Sequence, residues 1–180
     1  MNIVFRKIDE KDLEMTFAWR QDEDVSFYLP KVESLEKQYE WWKGLEKDKT
    51  RKYRIVNIDG IDYAVFALVN IDYSNRRLEI GGFIPKKYHG LKFGTNTVAV
   101  ISIKCMQDYI FNTLNFNKIV ATVPKFNLRA LKLDLSCGFE IEGILKDWFY
   151  HNGKFHDDYI LSLLKKDWKS DLNYQYTFDE

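Results

Sequence analysis

Cysteine and histidine are scarce in this sequence of 180 residues, and their scarcity limits the metal chemistry that it can support. The two cysteines, Cys105 and Cys137, have no second cysteine at the spacing of a metal-ligand pair. The three histidines, His89, His151 and His156, lack the one-turn spacing of a helical zinc site. We therefore expect no metal cofactor, and two buried free thiols of the kind found in a reducing compartment.

The chain also lacks an excess of either charge and lacks any long apolar run. Lysine plus arginine and aspartate plus glutamate number 27 each, which argues against a nucleic acid or a membrane surface as partner. No window approaches about 18 consecutive apolar residues, and charges recur from Arg6 onward, unlike the apolar core of a signal peptide. We expect a cytoplasmic protein.

The sequence is rich in side chains that fill a core. Hydrophobic residues make up 46% of the chain, with 13 phenylalanines, 11 tyrosines and 5 tryptophans. A chain of this length and composition can bury one sizeable core. We predict a single domain over residues 1–168, followed by a polar tail over 169–180 without a clear element of secondary structure.

Helical periodicity marks the N-terminal part, and strand patterns dominate the rest. Asp9 and Ser34 are placed to cap two amphipathic helices near the N-terminus. Further helices are predicted from Thr95 to residue 111 and over 128–136. Strands are predicted at 2–8, 53–58, 61–71, 78–84, 118–123, 139–150 and 155–164, with hairpin turns at Asp59-Gly60 and Asn152-Gly153.

A loop over residues 88–95 combines a tight turn with the start of a helix, directly after the strand at 78–84. The first backbone N–H groups of a helix have no partner within it, and the helix dipole is positive there. A phosphate or pyrophosphate suits such a loop. An ordinary strand-to-helix connection, in which the glycines serve only the turn, is the alternative. The paired Gly81-Gly82 just before it predict a bulge or a close backbone approach.

The block from Asn127 to Gly143 carries a family resemblance. Its Asn-x-x-Ala start, an amphipathic helix, and Gly138-Phe139 followed by Glu142-Gly143 resemble the second acetyl-CoA motif of the GCN5-related N-acetyltransferases, or GNAT family. The resemblance implies an α/β fold of layered helices and sheet. In this fold a mixed, mostly antiparallel sheet of about seven strands, flanked by about four helices, is splayed at the acetyl-CoA site.

Two further segments resemble one branch of this family. The final hairpin over 149–159 looks like the RimJ/RimL branch, and Trp19-Arg20 together with Trp41-Trp42 is similar to amino-sugar N-acetyltransferases of that branch. The resemblance implies acetyl-CoA-dependent transfer to a primary amine of a small acceptor. A nucleotide-linked amino sugar is the first choice and a protein N-terminus the second, while a non-catalytic acetyl-CoA-binding module is the alternative of a different class.

The resemblance also assigns acetyl-CoA, the co-substrate, to the loop over 88–95. The family pattern there is Gln/Arg-x-x-Gly-x-Gly/Ala, and this chain has His89, Lys92 and Gly94 at the three matching positions. A lysine at the middle position adds a cation near the phosphates, and it is unstrained only if its φ stays negative. The implied cofactor-binding residues are Phe83, Ile84, His89, Gly90, Leu91, Lys92, Phe93, Gly94, Thr95, Asn127 and Ala130.

The implied reaction requires a base, because an alkyl ammonium must lose a proton before it attacks a thioester. Glu79 is our candidate, since apolar neighbours on both sides would aim its carboxylate toward a cleft; a solvated strand glutamate is the alternative. Gly81-Gly82 would supply an N–H group to the thioester oxygen. Many family members carry a tyrosine that protonates the leaving thiolate, whereas Asp134 holds the matching position here. Asn127 orients the pantetheine arm, caps a helix, or does both.

The acceptor is expected to lie between the N-terminal helices and the final hairpin, where loops vary most. Aromatic side chains there suit stacking on a sugar or a nucleobase, although they equally suit a core. The final hairpin also predicts a possible homodimer formed across a two-fold axis. The candidate acceptor residues are Trp19, Arg20, Tyr28, Trp42, Tyr150, His156 and Asp157.

Overall fold

The computed structural model describes residues 1–26, 29, 31–151 and 153–179. The N-terminal part consists of one strand and a layer of helices. These elements are β1 (Ile3–Lys7), α1 (Leu13–Gln21), α2 (Glu23–Ser26) and α3 (Leu35–Leu45). Ser34 caps α3 as predicted, because its hydroxyl oxygen accepts a hydrogen bond from the Lys37 N–H.

Strands dominate the rest of the chain. The elements are β2 (Lys52–Ile58), β3 (Ile61–Asp72), β4 (Arg77–Phe83), β5 (Lys92–Phe93), β6 (Asn96–Thr97), α4 (Val98–Asp108), β7 (Lys118–Pro124), α5 (Leu128–Ser136), β8 (Glu140–His151), β9 (Lys154–Leu164) and β10 (Tyr176–Phe178). A turn of π-helix at Tyr109–Thr113 continues α4. The predicted alternation of strands and helices is therefore confirmed.

Eight strands form one mixed sheet in the order β10-β1-β2-β3-β4-β7-β9-β8. Among the described strands, only β1 with β10 and β4 with β7 pair in parallel, so the sheet is mostly antiparallel, as expected. Helices cover both faces. On one face Leu78, Ile119 and Leu163 share a core with α4, and on the other Ile55 and Val65 pack with α1.

The sheet is splayed between its two central parallel strands. β4 pairs with β7 over only three residues, from Arg77 opposite Lys118 to Glu79 opposite Val120. Beyond Glu79 the facing edges of β4 and β7 have no ladder pairing with each other. The gap predicted from the family resemblance therefore lies immediately after Glu79.

The prediction of a polar tail without secondary structure is wrong. Tyr176–Phe178 forms an edge strand beside β1, which raises the strand count from about seven to eight. Phe178 stacks on Tyr109 with 3.9 Å between ring centroids, and on Phe5 with 5.3 Å. The tail is held because its alternate aromatic side chains face the sheet core, and this period of two was present in the sequence.

The predicted start of α4 at Thr95 is also wrong. Residues 92–97 form a two-stranded ribbon, in which Lys92 pairs with Thr97 and Phe93 with Asn96. The helix begins at Val98, since the Thr97 hydroxyl accepts a hydrogen bond from the Val100 N–H and acts as its N-cap. Gly94, with a φ of 64°, makes the turn of this ribbon.

Gly81 and Gly82 do not form the predicted bulge, but the close backbone approach is confirmed. They pair in register with Ala67 and Phe66 of β3, and the irregularity lies further along, between Val69 and Asp72. A Cβ on Gly82 would stand 2.6 Å from the Val65 carbonyl oxygen. The β3 backbone thus requires glycine at residue 82, whereas Gly81 faces open space.

Candidate active site

A cleft of about 850 Å³ opens at the splay between β4 and β7. Its walls include residues from both faces of the sheet. Ile80, Ala121 and Val123 come from the face that carries α4 and α5, whereas Glu79 and Thr122 come from the face that carries the N-terminal helices. The cleft therefore passes through the sheet, so that two reactants can approach the same point from opposite faces.

One end of the cleft is cationic. His89, Gly90 and Arg129 line it, next to the first residues of α4. The guanidinium of Arg129 donates to His89 Nδ1 at 2.6 Å, and His89 Nε2 lies 2.8 Å from the Ile84 carbonyl oxygen. This pairing requires the tautomer with the proton on Nε2. An arginine beside a helix N-terminus is a site that favours a phosphate group.

Six of the predicted cofactor-binding residues line the cleft: Phe83, Ile84, His89, Gly90, Asn127 and Ala130. The other five, Leu91, Lys92, Phe93, Gly94 and Thr95, lie in or beside the β5–β6 ribbon and do not line it. Lys92 has no positive φ, since among residues 88–95 only Gly90 and Gly94 do. The replacement of a glycine by Lys92 is therefore unstrained.

Glu79 faces the cleft from the splay point itself. Its Oε1 accepts a hydrogen bond from the Thr122 hydroxyl at 2.7 Å, and its Oε2 accepts one from the Asn70 side chain at 2.9 Å. These two bonds hold the carboxylate on the sheet face that carries the N-terminal helices, across the β4–β7 gap. The alternation that predicted this direction from the sequence is present in β4.

Asp134 contributes a second carboxyl group from the opposite side. It lies on α5, lines the cleft, and is only 8% exposed. Burial alone raises the pKa of Asp134 to about 7. This carboxyl group is therefore substantially protonated near neutral pH, unlike an exposed aspartate.

Asp158 of β9 is a third cleft-lining carboxyl group, and sequence reasoning missed it. Asp158 is 4% exposed, and burial, followed by the neighbouring Asp157, raises its pKa to about 6. Trp148 and Phe149 of β8 also line this end of the cleft. Of the adjacent Asp157 and Asp158 we selected the first, yet only the second lines the cleft.

Asn127 has the helix-capping role considered for it, and its role in orienting the pantetheine arm stays a prediction. Its side-chain Oδ1 accepts a hydrogen bond from the Ala130 N–H at 3.1 Å and so caps α5, while the residue also lines the cleft. Arg129, in the same segment, was missed because a solvent-facing arginine near a helix N-terminus carries no special sequence signal. The residues of 127–130 thus serve both the helix start and the cleft wall.

The predicted acceptor residues do not line the cleft where the structure describes them. Trp19 is buried, and Trp42 donates its indole N–H to the Ile8 carbonyl oxygen at 2.7 Å, so both belong to the packing of the N-terminal helices. Tyr28 lies outside the described residues. Arg20 lines a second cavity of about 210 Å³, together with Thr16, Gln38, Trp41 and Tyr53. Phe83 lines both this cavity and the cleft.

The three predicted acceptor residues of the final hairpin, Tyr150, His156 and Asp157, also lie outside the cleft lining. Tyr150 is 63% exposed. The His156 ring packs edge-on against Phe126. Asp157 accepts hydrogen bonds from the Lys125 ammonium and the Asp147 N–H. Their predicted acceptor contacts remain predictions.

Among the described residues, no group of three or more histidine, cysteine or acidic side chains is arranged to hold a metal ion. No helix in the described ranges is long and apolar enough to cross a membrane.

Comparison with known proteins identifies the family. A family model described as an acetyltransferase (GNAT) domain matches residues 2–140. The chain is 30% identical over 115 residues to "Putative ribosomal N-acetyltransferase YdaF" of Bacillus subtilis, which covers 63% of this chain. It is 30% identical over 148 residues to "Acetyltransferase PseH" of Campylobacter jejuni, which covers 82% of this chain and 88% of that protein.

The match to YdaF spans 59% of that protein, and two similar curated relatives are matched over 52% and 56% of their lengths. Among solved structures, a spermidine N-acetyltransferase from Vibrio cholerae, in complex with CoA and spermine, superposes with a TM-score of 0.83. That match covers 92% of this chain and 96% of the other at 24% identity, which establishes the fold. With a splayed mixed sheet and a family model over most of its length, this chain belongs to the GNAT acetyltransferase family.

Proposed function

We propose that the protein transfers an acetyl group from acetyl-CoA to the primary amine of a small acceptor. One observation carries the proposal: a single cleft through the sheet joins a cationic end to Glu79, which is hydrogen-bonded on both oxygens, and to the buried carboxyl group of Asp134. When bound, acetyl-CoA supplies a thioester carbonyl that an amine can attack and a thiolate that can leave. The family membership and the names of the relatives agree with this chemistry.

The cleft fits the two ends of such a co-substrate. Arg129, His89 and the N-terminus of α4 suit the pyrophosphate, because guanidinium and helix-dipole charges both favour an anion. The splayed edges of β4 and β7 leave backbone polar groups without a strand partner, which suits the amide groups of the pantetheine arm. Gly81, with open space where a Cβ would stand, leaves room for this arm and for the acyl group.

Glu79 is the proposed base. It is the only glutamate lining the cleft among the described residues, and two hydrogen bonds fix its carboxylate beside the splay. The acceptor ammonium loses one proton to Glu79, directly or through a water molecule, and its nitrogen then attacks the carbonyl carbon. Glu79 releases this proton to solvent and then accepts the second proton that the nitrogen loses as the amide forms.

Asp134 is the proposed acid in place of the tyrosine of related enzymes. Its buried carboxyl group lies on the α5 side of the cleft, and its pKa, raised to about 7, keeps a substantial fraction of it protonated near neutral pH. As the carbon–sulfur bond breaks, this proton passes to the sulfur, and the resulting carboxylate is reprotonated from solvent. Because a CoA thiolate leaves fairly readily by itself, we expect the loss of Asp134 to reduce turnover less than the loss of Glu79.

A nucleotide-linked amino sugar is our first choice of acceptor. The second cavity supports it, because the Arg20 guanidinium lies there beside Trp41 and Tyr53. A guanidinium pairs with a phosphate, and aromatic rings stack on a base or sugar. A polyamine is an alternative, since the Vibrio cholerae structure contains spermine. A protein N-terminus is another, favoured by the relative named a ribosomal N-acetyltransferase.

Release of free thiol from acetyl-CoA over an amine panel tests the function. The panel contains a nucleotide-linked amino sugar, spermidine and a peptide with a free N-terminus. We expect amine-dependent thiol release with at least one of them. Thermal stabilisation by acetyl-CoA without any turnover would instead identify a non-catalytic acetyl-CoA-binding module.

Replacement of Glu79 by glutamine tests the base. We expect kcat to fall by about 10²-fold or more, because general-base catalysis contributes on that scale, and the rise of the rate with pH to change shape. Glu140→Gln is the matched control, since Glu140 is an exposed strand glutamate outside the cleft. An unchanged rate and pH profile in Glu79→Gln would show that Glu79 is not the base.

A further inference from the structure

Asp158 has a buried oxygen without a hydrogen-bond donor. The residue lines the cleft and is 4% exposed. Its Oδ1 is fully buried, and no described residue donates a hydrogen bond to it. Leaving a buried acceptor unsatisfied is costly, and more so for a charged group. Buried carboxylates without a partner are rare unless a ligand supplies the missing donor.

The register of the strands places Asp158 on the acceptor side of the cleft. β9 pairs with β7 so that Asp158 lies opposite Pro124, and side chains two residues apart share a face. Thr122, two residues before Pro124, therefore lies on the same face, and its hydroxyl is bound to Glu79. Asp158 and Glu79 thus look out from the same side of the sheet, on opposite sides of the gap.

The surroundings of Asp158 suit a cation. Phe149 and Trp148 line the same end of the cleft, and aromatic faces attract ammonium groups. The charged neighbours that act on Asp158 are Asp157, which disfavours its ionisation, and His156, which favours it. Lys125, the nearby ammonium, is paired with Asp157. The described protein thus provides no cation bonded to Asp158 itself.

We propose that Asp158 binds a cationic nitrogen of the acceptor, so that the acceptor enters the cleft as an ammonium ion held opposite Glu79. This inference rests on the proposed function and adds a binding residue to it. The nitrogen is either the one that is acetylated or a second ammonium of the same molecule. A monoamine and a diamine distinguish these two sources.

Asp158→Asn tests the proposal in the full-length protein, with Asp147→Asn as the control. Asp147 is an exposed aspartate of the same hairpin, outside the cleft, so its replacement makes the same chemical change elsewhere. We expect KM for the best acceptor of the panel to rise about ten- to hundredfold in Asp158→Asn, as for loss of a hydrogen bond to a charged group. We expect KM for acetyl-CoA to stay the same.

Butylamine and 1,4-diaminobutane serve as the simple probes. If Asp158 holds the reacting nitrogen, the variant weakens both probes; if it holds a second nitrogen, only the diamine is affected. Thermal stabilisation by 1,4-diaminobutane gives a readout that does not need turnover, and we expect Asp158→Asn to lose it. Acceptor kinetics and amine stabilisation equal to those of the wild type would overturn the proposal.

The melting temperature separates ligand binding from a structural role. If Asp158 serves to bind a ligand, removal of its uncompensated charge leaves the unliganded variant as stable as the unliganded wild type, or more stable. A clearly lower melting temperature for both Asp158→Asn and Asp158→Ser would assign it a structural role and reject this proposal. If the wild type shows no turnover but its stabilisation by the diamine still depends on Asp158, the enzyme function is rejected and the cation site is not.

Discussion

At the scale of single residues, three carboxyl groups around one cleft have different environments. Glu79 is hydrogen-bonded on both oxygens, Asp134 is buried on α5, and Asp158 is buried with an unsatisfied oxygen. Asp134 lies on the α5 side of the cleft, whereas Glu79 and Asp158 face the other side of the sheet, and burial favours the protonated form of Asp134. These environments agree with the proposed roles of Glu79 as proton acceptor and Asp134 as proton donor.

Asp134→Asn should reveal the buried carboxyl group through stability. The unfolded carboxyl group loses its proton near its usual pKa of 3.8, whereas the folded one keeps it to about pH 7. Between these values the folded state binds more protons, so the free energy of unfolding of the wild type decreases as pH rises. The asparagine variant has no carboxyl group at this position, so its free energy of unfolding does not decrease in this way. The decrease in the wild type amounts to at most about 4 kcal/mol.

Thermal melts of wild type and Asp134→Asn between pH 4 and pH 8 provide the measurement. We expect similar melting temperatures near pH 4, a growing advantage for the variant up to about pH 7, and a constant advantage above it. Asp147→Asn, an exposed replacement, should show no such trend. A difference that does not vary with pH would mean that the Asp134 carboxyl group does not keep its proton.

The site was only partly predictable from the sequence, because strand alternation is local and strand register is not. Glu79 was found since its apolar neighbours define its direction within one strand. Asp158 was missed because the choice between adjacent aspartates depends on how β9 aligns with β7, which no local pattern records. Trp19 and Trp42 were assigned to the acceptor, yet an aromatic pattern suits a core equally well.

At the scale of elements, the ribbon and the last strand were the main departures from the sequence prediction. The apolar run after Thr95 has the pattern of a helix from its first residue. In the structure a short two-stranded ribbon, which turns at Gly94, precedes the helix, and the helix begins only after its N-cap Thr97. β10 was too short to stand out beside its polar neighbours. The longer strands and the hairpin turn at Asp59-Gly60 were predictable, since the strand alternation extends over many residues. Asn152, in the second predicted turn, lies outside the described residues.

Truncation of the Phe178 side chain should measure what β10 contributes. Phe178→Ala removes two ring stacks, on Phe5 and Tyr109, and we expect a loss of about 2–4 kcal/mol in the free energy of unfolding. Denaturant unfolding monitored by circular dichroism gives this value. Tyr73→Ala, at an aromatic ring that is 56% exposed, is the control and should change stability much less.

If Phe178→Ala unfolds at the same denaturant concentration as the wild type, β10 is not an integral strand of the domain. In that case the boundary predicted at residue 168 would describe the folded unit better than the observed sheet does.

At the scale of the whole molecule, the two edges of the sheet differ. β10 closes one edge with three residues, whereas β8 leaves a twelve-residue edge strand at the other. Exposed apolar side chains lie on this outer hairpin: Ile141, Ile144, Trp148, Tyr150 and Phe155. A long, apolar edge strand invites pairing with another chain. We therefore keep the prediction of a homodimer formed through the final hairpin.

Sedimentation velocity of the wild type and of Ile144→Lys tests the homodimer. We expect a dimer for the wild type and a shift toward monomer for the variant, because a charge on a 49% exposed site disfavours burial in an interface but not the fold. An unchanged circular dichroism spectrum is required of the variant. A wild type that sediments as a monomer at micromolar concentration contradicts the prediction.

The short β4–β7 ladder has a mechanical consequence. It divides the sheet into a leaf of five strands and a leaf of three, joined edge to edge by three residue pairs. Glu79 belongs to the larger leaf, while Thr122 and Asp158 belong to the smaller one. A change of the angle between the leaves would change the distance between Glu79, the proposed base, and Asp158, the proposed cation site. The hydrogen bond from Thr122 to Glu79 joins the two leaves just beyond the ladder.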